Sequence, residues 1–356
     1  MESYGDFELR GRWTRVRLEM VEAILAALTF GLSPPLAKLL LGAVSPLLLA
    51  GLLYLGSAIP LTVLRGFSAP AASRRFGARQ CWILAGAVTA GGVLAPPLLL
   101  WGLARSPAST AALLLNLETV LTVVLAGSFF GEHLGVRVAS ATGLVAAGGV
   151  ALSWQSGALE ISMASLAVAG ACLLWAIDNN LTRLIADLDA VKIAQVKGLA
   201  AGGVNTLLGL GSGVAMPEWL PVALSLGLGM VSYGTSLVLF VLAMRRLGAA
   251  RTVAYFALGP FFGAAVAVVL LREPVTPSMM IGAGCMAGGI WLLVRERHSH
   301  RHRHAPGTPA HGAESDARAG HQAEGPPAPP VARISSVPGE HDHPHMPDTN
   351  HRHRHP

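Results

Sequence analysis

The residues of this chain best equipped for chemistry are polar or charged side chains set inside long apolar runs. Asp178, Asn179 and Asn180, with Thr182 and Arg183 just after them, interrupt one run, and Glu118, two residues beyond Asn116, interrupts another. A charge at the centre of a hydrocarbon layer costs about 3 kcal/mol even on lenient scales, so each must be paired, hydrogen-bonded or used. A carboxyl at the depth of Glu118 is the best single candidate for loading and releasing a proton. Its structural alternative is permanent neutralisation by a cation such as Lys197. Asp178 can pair with Arg183, or coordinate a substrate cation or proton; alternatively the asparagines bond neighbouring helices and Arg183 snorkels to the membrane face. Lys38 and Arg183 could offer a cation at each mouth to an anionic or zwitterionic solute, with snorkelling as the cheaper account. Tyr233 and Tyr255, with Trp101 and Trp175, could line a cavity, although aromatic residues in spans are more often packing or interface anchors. Glu132 and Glu273 stand at run ends, where capping or interfacial roles are expected.

A second kind of chemistry lies at the C-terminus. Twelve of the thirteen histidines follow residue 297, among them His298, His300, His302 and His304, then His341, His343 and His345. Imidazole at alternate positions of an extended chain can offer several nitrogens to Ni, Co or Zn. Glu340 and Asp342 assist where Arg301 and Arg303 repel, so the run from Glu340 to His345 is the strongest candidate metal site. Such a tail could also sense or buffer metal, respond to pH, or touch anionic headgroups. The spans themselves hold no histidine, which argues against the metal as transported cargo.

The elements that must position these residues are membrane spans. An apolar fraction of 52%, only 13% charged residues and a mean hydropathy of +0.53 do not suit a soluble domain. Runs of roughly 20 residues, enough to cross ~30 Å of hydrocarbon, are expected at about 21–41, 45–64, 82–103, 107–130, 136–154, 162–186, 193–213, 220–243, 249–271 and 278–294. Residues 1–20 carry four arginines without a signal-type apolar core, so the first span is expected to stay in the protein. Cys81, Cys172 and Cys285 are isolated in separate spans, leaving no disulfide framework and no Cys-x-x-Cys metal site. None of Lys38, Lys192 and Lys197 follows a glycine, which excludes a phosphate-binding Gly-Lys-Ser/Thr loop. With ten alternating spans, most arginines fall on one side. The positive-inside rule then makes both termini cytoplasmic, in a multi-pass protein of the inner (plasma) membrane. The net charge of +6 thus reads as topology and lipid contact, not nucleic-acid binding.

The runs repeat. A shift of 141 positions lays Arg105 on Arg246, Ala108 on Ala249, Leu117 on Leu258, Glu132 on Glu273 and Gly148 on Gly289 without a gap; a shift of 145 lays Lys38 on Arg183. Five spans per copy is an odd number, so the second copy enters the membrane in the opposite sense. The glycines concentrated in the spans read as seams for close helix approach.

Asn116-Leu-Glu118, Phe129-Phe-Gly-Glu132 and Gly143 with Gly148/Gly149, repeated as Gly259-Pro260, Leu271-Arg-Glu273 and Gly284 with Gly288/Gly289, resemble the EamA-type repeat of the drug/metabolite transporter superfamily. The resemblance implies an all-α membrane protein. Its ten transmembrane helices would form two inverted five-helix EamA-like repeats, residues 21–155 and 162–295, around a central cavity. A cytoplasmic segment (1–20) would precede them and a disordered cytoplasmic His-rich tail (298–356) would follow. The first copy has Thr119 where the family usually has the proline seen as Pro260, so at this position the ninth span has a proline to bend it and the fourth does not.

The expected function is secondary transport of a small polar metabolite, outward in direction, by alternating access, with no enzymatic activity and no cofactor. Divalent-metal (Ni/Co/Zn) efflux or sensing through the tail is the alternative. Expected partners are the lipid bilayer and a small-molecule substrate, with Ni, Co or Zn ions and a second copy of the chain as further candidates and no nucleic acid.

Overall fold

The computed structural model describes residues 20–67, 77–130, 135–153, 162–185, 188–247, 249–294, 298–303 and 340–345. Among the described residues up to Val294 every element is helical: α1 (Met20–Leu40), α2 (Pro46–Phe67), α3 (Ala78–Ala104), α4 (Ala108–Leu114, then Asn116–Phe130) and α5 (Val136–Ser153). There follow α6 (Met163–Arg183), α7 (Ala190–Gly211), α8 (Trp219–Gly229, Met230–Thr235, Ser236–Leu247), α9 (Ala249–Phe256, Gly259–Leu270) and α10 (Pro277–Val294). Among the described residues, nine of these helices are long and apolar enough to cross a membrane. The other, α7, is 22 residues long but carries Lys192, Gln195, Lys197 and Asn205. Large apolar side chains face outward, Val269 at 80% exposure and Trp82 at 79%. Lipid is the solvent that makes such a surface stable.

The duplication is written into the boundaries. A shift of 141 carries α5 onto α10, both 18 residues, and carries the first residues of α3 and α4 onto Trp219 and Ala249. A shift of 144 carries α2 onto α7, both 22 residues. Even the π-helical insert of α3 (Val88–Leu94) has its counterpart in α8 (Met230–Thr235).

Small residues let these helices touch backbone to backbone. A Cβ on Gly202 of α7 would lie 2.7 Å from Leu55 N of α2, and one on Gly209 would lie 2.8 Å from Leu48 Cα. Between α5 and α10 the same holds for Gly148 against Gly282 O, at 2.9 Å, and Gly289 against Ala141 O, at 2.8 Å. Among the described residues, the first half of α4 packs on the second half of α9, whereas the second half of α4 (Asn116–Phe130) and the first half of α9 (Ala249–Phe256) show no comparable packing.

Helix ends follow local chemistry. α7 starts at Ala190, three residues before the expected span, because Asp189 Oδ1 accepts from the N–H groups of Val191 (2.9 Å) and Lys192 (3.1 Å). The break in α4 departs from expectation, since no proline causes it. At Leu115 the bonding shortens, with the Leu115 N–H donating to Ala112 O and the Glu118 N–H to Leu115 O. The Asn116 amide donates to Leu113 O at 2.9 Å and the Cys172 thiol to Leu114 O at 3.6 Å. Side chains thus satisfy carbonyls that a continuous helix would have used.

Residues 296–356 form a separate unit. In it β1 (His298–Arg303) and β2 (Glu340–His345) pair antiparallel, with His298 opposite His345, His300 opposite His343 and His302 opposite His341. The expectation of a wholly disordered tail is corrected for these twelve positions, whose extended backbones exchange ladder hydrogen bonds. The remainder, His304 included, and residues 1–19 lie outside the described residues, as does Glu132.

Candidate functional site

The polar residues meet where the break in α4, the second half of α6 and the π-helical insert of α3 converge. Lys197 of α7 donates to both carboxylate oxygens of Asp178 of α6, each at 2.6 Å, and Thr182 Oγ1 donates to Asp178 Oδ1 at 3.0 Å. The pair is largely enclosed, with side-chain exposures of 18% for Lys197 and 6% for Asp178. This corrects two expectations. Asp178 pairs with Lys197 and not Arg183, and Lys197 is committed to Asp178 instead of neutralising Glu118 directly. Spacing explains the first correction: Arg183 stands five positions from Asp178, about 140° round the helix, and sits exposed in the last turn.

The Glu118 carboxylate accepts from a neutral side chain, that of Asn179. Asn179 Nδ2 donates to Glu118 Oε1 at 2.9 Å and to Thr122 Oγ1 at 3.3 Å. Asn180 Nδ2 donates to Thr122 O at 3.1 Å and to Ala176 O at 2.9 Å. Consecutive residues of α6 therefore serve two partners: Asp178 faces α7, while Asn179 and Asn180 face α4. Asn179 is exposed, so this cluster is open to solvent-sized groups from one side.

The π-helical insert of α3 supplies the third wall. Its wider turn exposes carbonyls. Gly91 O accepts from the Tyr54 hydroxyl and the Trp175 indole N–H, both at 2.8 Å, and Gly92 O accepts from Asn205 Nδ2 at 2.9 Å. A Cβ on Gly91 would collide with the Asp178 carboxylate, so the glycine is what lets the ion pair reach the backbone of α3. The matching insert of α8 carries Tyr233, whose hydroxyl accepts from Ser33 Oγ at 2.8 Å. Its ring lies 6.0 Å from that of Tyr54 and 6.1 Å from that of Phe30.

Not every expected site residue belongs here. Asn116 is 2% exposed and acts as a cap for the break in α4. Lys38 is at the α3–α4 corner, bonded to the carbonyls of Leu103, Ala104 and Ser106. Tyr255 belongs to the turn inside α9, its carbonyl accepting from the Leu258 N–H. Trp101 stacks under Arg105 at 4.1 Å, beside an outward apolar groove of about 730 Å³ between α3 and α6 that offers almost no polar group. Among the described residues, no three His, Cys, Asp or Glu gather to hold a metal ion. Tyr54, Thr122 and Gly91 were not singled out from the sequence. The Gly91-Gly92 pair, a few residues ahead of Pro96-Pro97, is the one signal that could have pointed to them.

The arrangement can hold a proton or a small polar molecule. A neutral-bonded carboxyl (Glu118) and a separable ion pair (Asp178–Lys197) stand between aromatic walls, inside a membrane-spanning body.

Known proteins resemble this chain over most of its length. The model of the EamA-like transporter family matches residues 18–154 and again 162–295. An uncharacterized transporter of Methanothermobacter thermautotrophicus is 30% identical over 304 residues, covering 80% of this chain and 88% of the relative. A probable terminal-alkyne amino-acid exporter of Streptantibioticus cattleyicolor is 27% identical over 202 residues, 56% of this chain and 68% of the relative. A crystal structure at 20% identity shares the fold, with a TM-score of 0.57 over 78% of this chain and 97% of that one. With its family model matched twice and its helices long enough to span a bilayer many times, the chain is a multi-pass membrane protein and belongs to the EamA-like transporter family.

Proposed function

We propose that the protein is a secondary exporter of a small polar metabolite, working by alternating access of two inverted five-helix repeats whose ten spans include α7. The observation that carries this reading is the enclosed Asp178–Lys197 ion pair beside Glu118 and the exposed Asn179. Charges that merely stabilised the helices would be expected to be replaced by apolar packing, which serves as well at lower cost. A solute with its own charge or dipole can take the place of one partner, and Glu118 is placed to carry the coupling proton. The exporter relative supports an outward direction. Both termini are then cytoplasmic, in the inner (plasma) membrane, and the chain needs no cofactor.

The metal reading gains no comparable support, because the described spans gather no metal ligands. The test is a growth-inhibition and efflux panel of amino acids, their analogues and Ni, Co, Zn and Cu, run with the full chain and with residues 298–356 removed. Efflux of an organic solute that survives tail removal and fails in Glu118→Gln is expected. Metal resistance that disappears with the tail would overturn the proposal in favour of the metal reading.

A further inference from the structure

The corner between α3 and α4 is gripped from two sides by residues distant in sequence. At the start of α4 the N–H groups of Ala108 and Ser109 have no partner within their helix, and Pro107 before them offers no capping side chain. Glu273, three residues beyond the last turn of α9, supplies both acceptors: Oε1 to Ala108 N at 2.6 Å and Oε2 to Ser109 N at 2.9 Å. On the other flank Lys38 Nζ, from the last turn of α1, donates to Leu103 O at 2.5 Å, Ser106 O at 2.9 Å and Ala104 O at 3.1 Å. An anion thus sits at a helix N-terminus and a cation at a helix C-terminus, the favourable sense for both dipoles.

Two further observations mark this grip as more than surface capping. Arg272, immediately before Glu273, has φ 54, a left-handed backbone that a non-glycine residue adopts at a cost. That conformation turns the chain out of α9 just where the carboxylate must reach α4. In addition, α1, α4 and α9 are in contact through small residues at this end: a Cβ on Gly263 would lie 2.6 Å from Gly31 O and 3.1 Å from Ala112 Cβ. Among the described residues, the pair that the repeat makes the counterpart of this one, Asn116–Phe130 with Ala249–Phe256, has no comparable packing. Among the described residues, α4 thus packs on α9 chiefly through the half that Glu273 caps.

We propose that Glu273 and Lys38 form a two-sided latch that holds this end of the bundle closed, and that its release is the step that opens the site to this face. The inference rests on the alternating-access reading, in which the two ends open in turn. Both are positioning residues: they fix α4 against α9 and α1 and do not touch the solute.

The test reads conformation without needing a solute, so it stands or fails apart from the transport assay. In the full chain with Cys172→Ser and Cys285→Ala, exposed Cys81 serves as reference, and Ala111→Cys places a thiol at a position of 0% exposure in the closed half of α4. Labelling by a hydrophilic maleimide in nanodiscs is followed by mass spectrometry. Glu273→Gln and Lys38→Met are each expected to raise labelling at residue 111, relative to Cys81, by at least about fivefold, the scale of losing a helix cap. Glu273→Asp, which keeps the charge on a shorter arm, should fall between. Unchanged labelling in variants that elute like the parent overturns the latch. An equal rise at a Val168→Cys reporter, buried in the core of α6, would mean general loosening and overturns it too.

Discussion

Lys197 holds both oxygens of Asp178 from the neighbouring helix, and a glycine, Gly91, leaves room for the bound carboxylate against the backbone of α3. The pair is therefore boxed on three sides, by α3, α6 and α7. Removing one member strands the other in a place that water does not reach freely.

Single neutralisation, Asp178→Asn or Lys197→Met, is expected to lower stability by about 3 kcal/mol. The double variant should recover much of that loss, because no charge is left unpaired. Transport should fail in all three if the pair opens to admit solute. Thermal unfolding in detergent and efflux from proteoliposomes separate the two effects. A double variant that transports at the parental rate would assign the pair to structure alone.

Asn116 and Glu118 stand two residues apart and should separate cleanly. Asn116→Ala leaves the Leu113 carbonyl without its side-chain donor, costing about 1 kcal/mol of stability, with efflux reduced only in proportion to folded protein. Glu118→Gln keeps an acceptor for Asn179 and should fold normally. It should also lose the acceleration of efflux by an imposed proton gradient while retaining solute exchange. Gradient-driven efflux that persists in Glu118→Gln would take the coupling role away from this residue.

Glycines of the same composition should respond in opposite ways. Gly91→Ala drives a methyl into the Asp178 carboxylate and is expected to abolish efflux and lower the melting temperature. At Gly143 and Gly284, which the repeat relates, a Cβ meets nothing within 4 Å. Alanine there should stabilise the helices by about 0.5–1 kcal/mol each. Melting curves of the three variants decide the matter, and a tolerated Gly91→Ala would show that the ion pair can move away from α3.

How much of this was legible beforehand depends on what kind of force is involved. Span positions and the duplication follow from the sequence, because apolar runs and repeated residues are local properties that the bilayer reads directly. The same shift that aligns Glu132 with Glu273 aligns the 18 residues of α5 with those of α10. The cost of polar groups in hydrocarbon singled out Glu118, Asp178, Asn179 and Asn180, and they do lie together.

Partner choice was not legible. Asp178 has Arg183 nearby in sequence, yet bonds Lys197 nineteen residues on, because helix rotation and the packing of α7 decide which cation reaches it. Asn116 looked like a site residue, but tertiary structure turned it to the carbonyls of a broken helix. Tyr54 had no local mark at all; it matters because a π-helical turn in α3 presents a carbonyl to it. The sequence by itself determined the spans, the repeat and the cost of each buried polar group. Only the tertiary structure decided which of those groups pair, which end of α4 meets α9, and that Glu273 closes a helix belonging to the other repeat. Hydrophobic length is a sum over neighbours in the chain, whereas pairing and closure depend on how whole helices turn and cross.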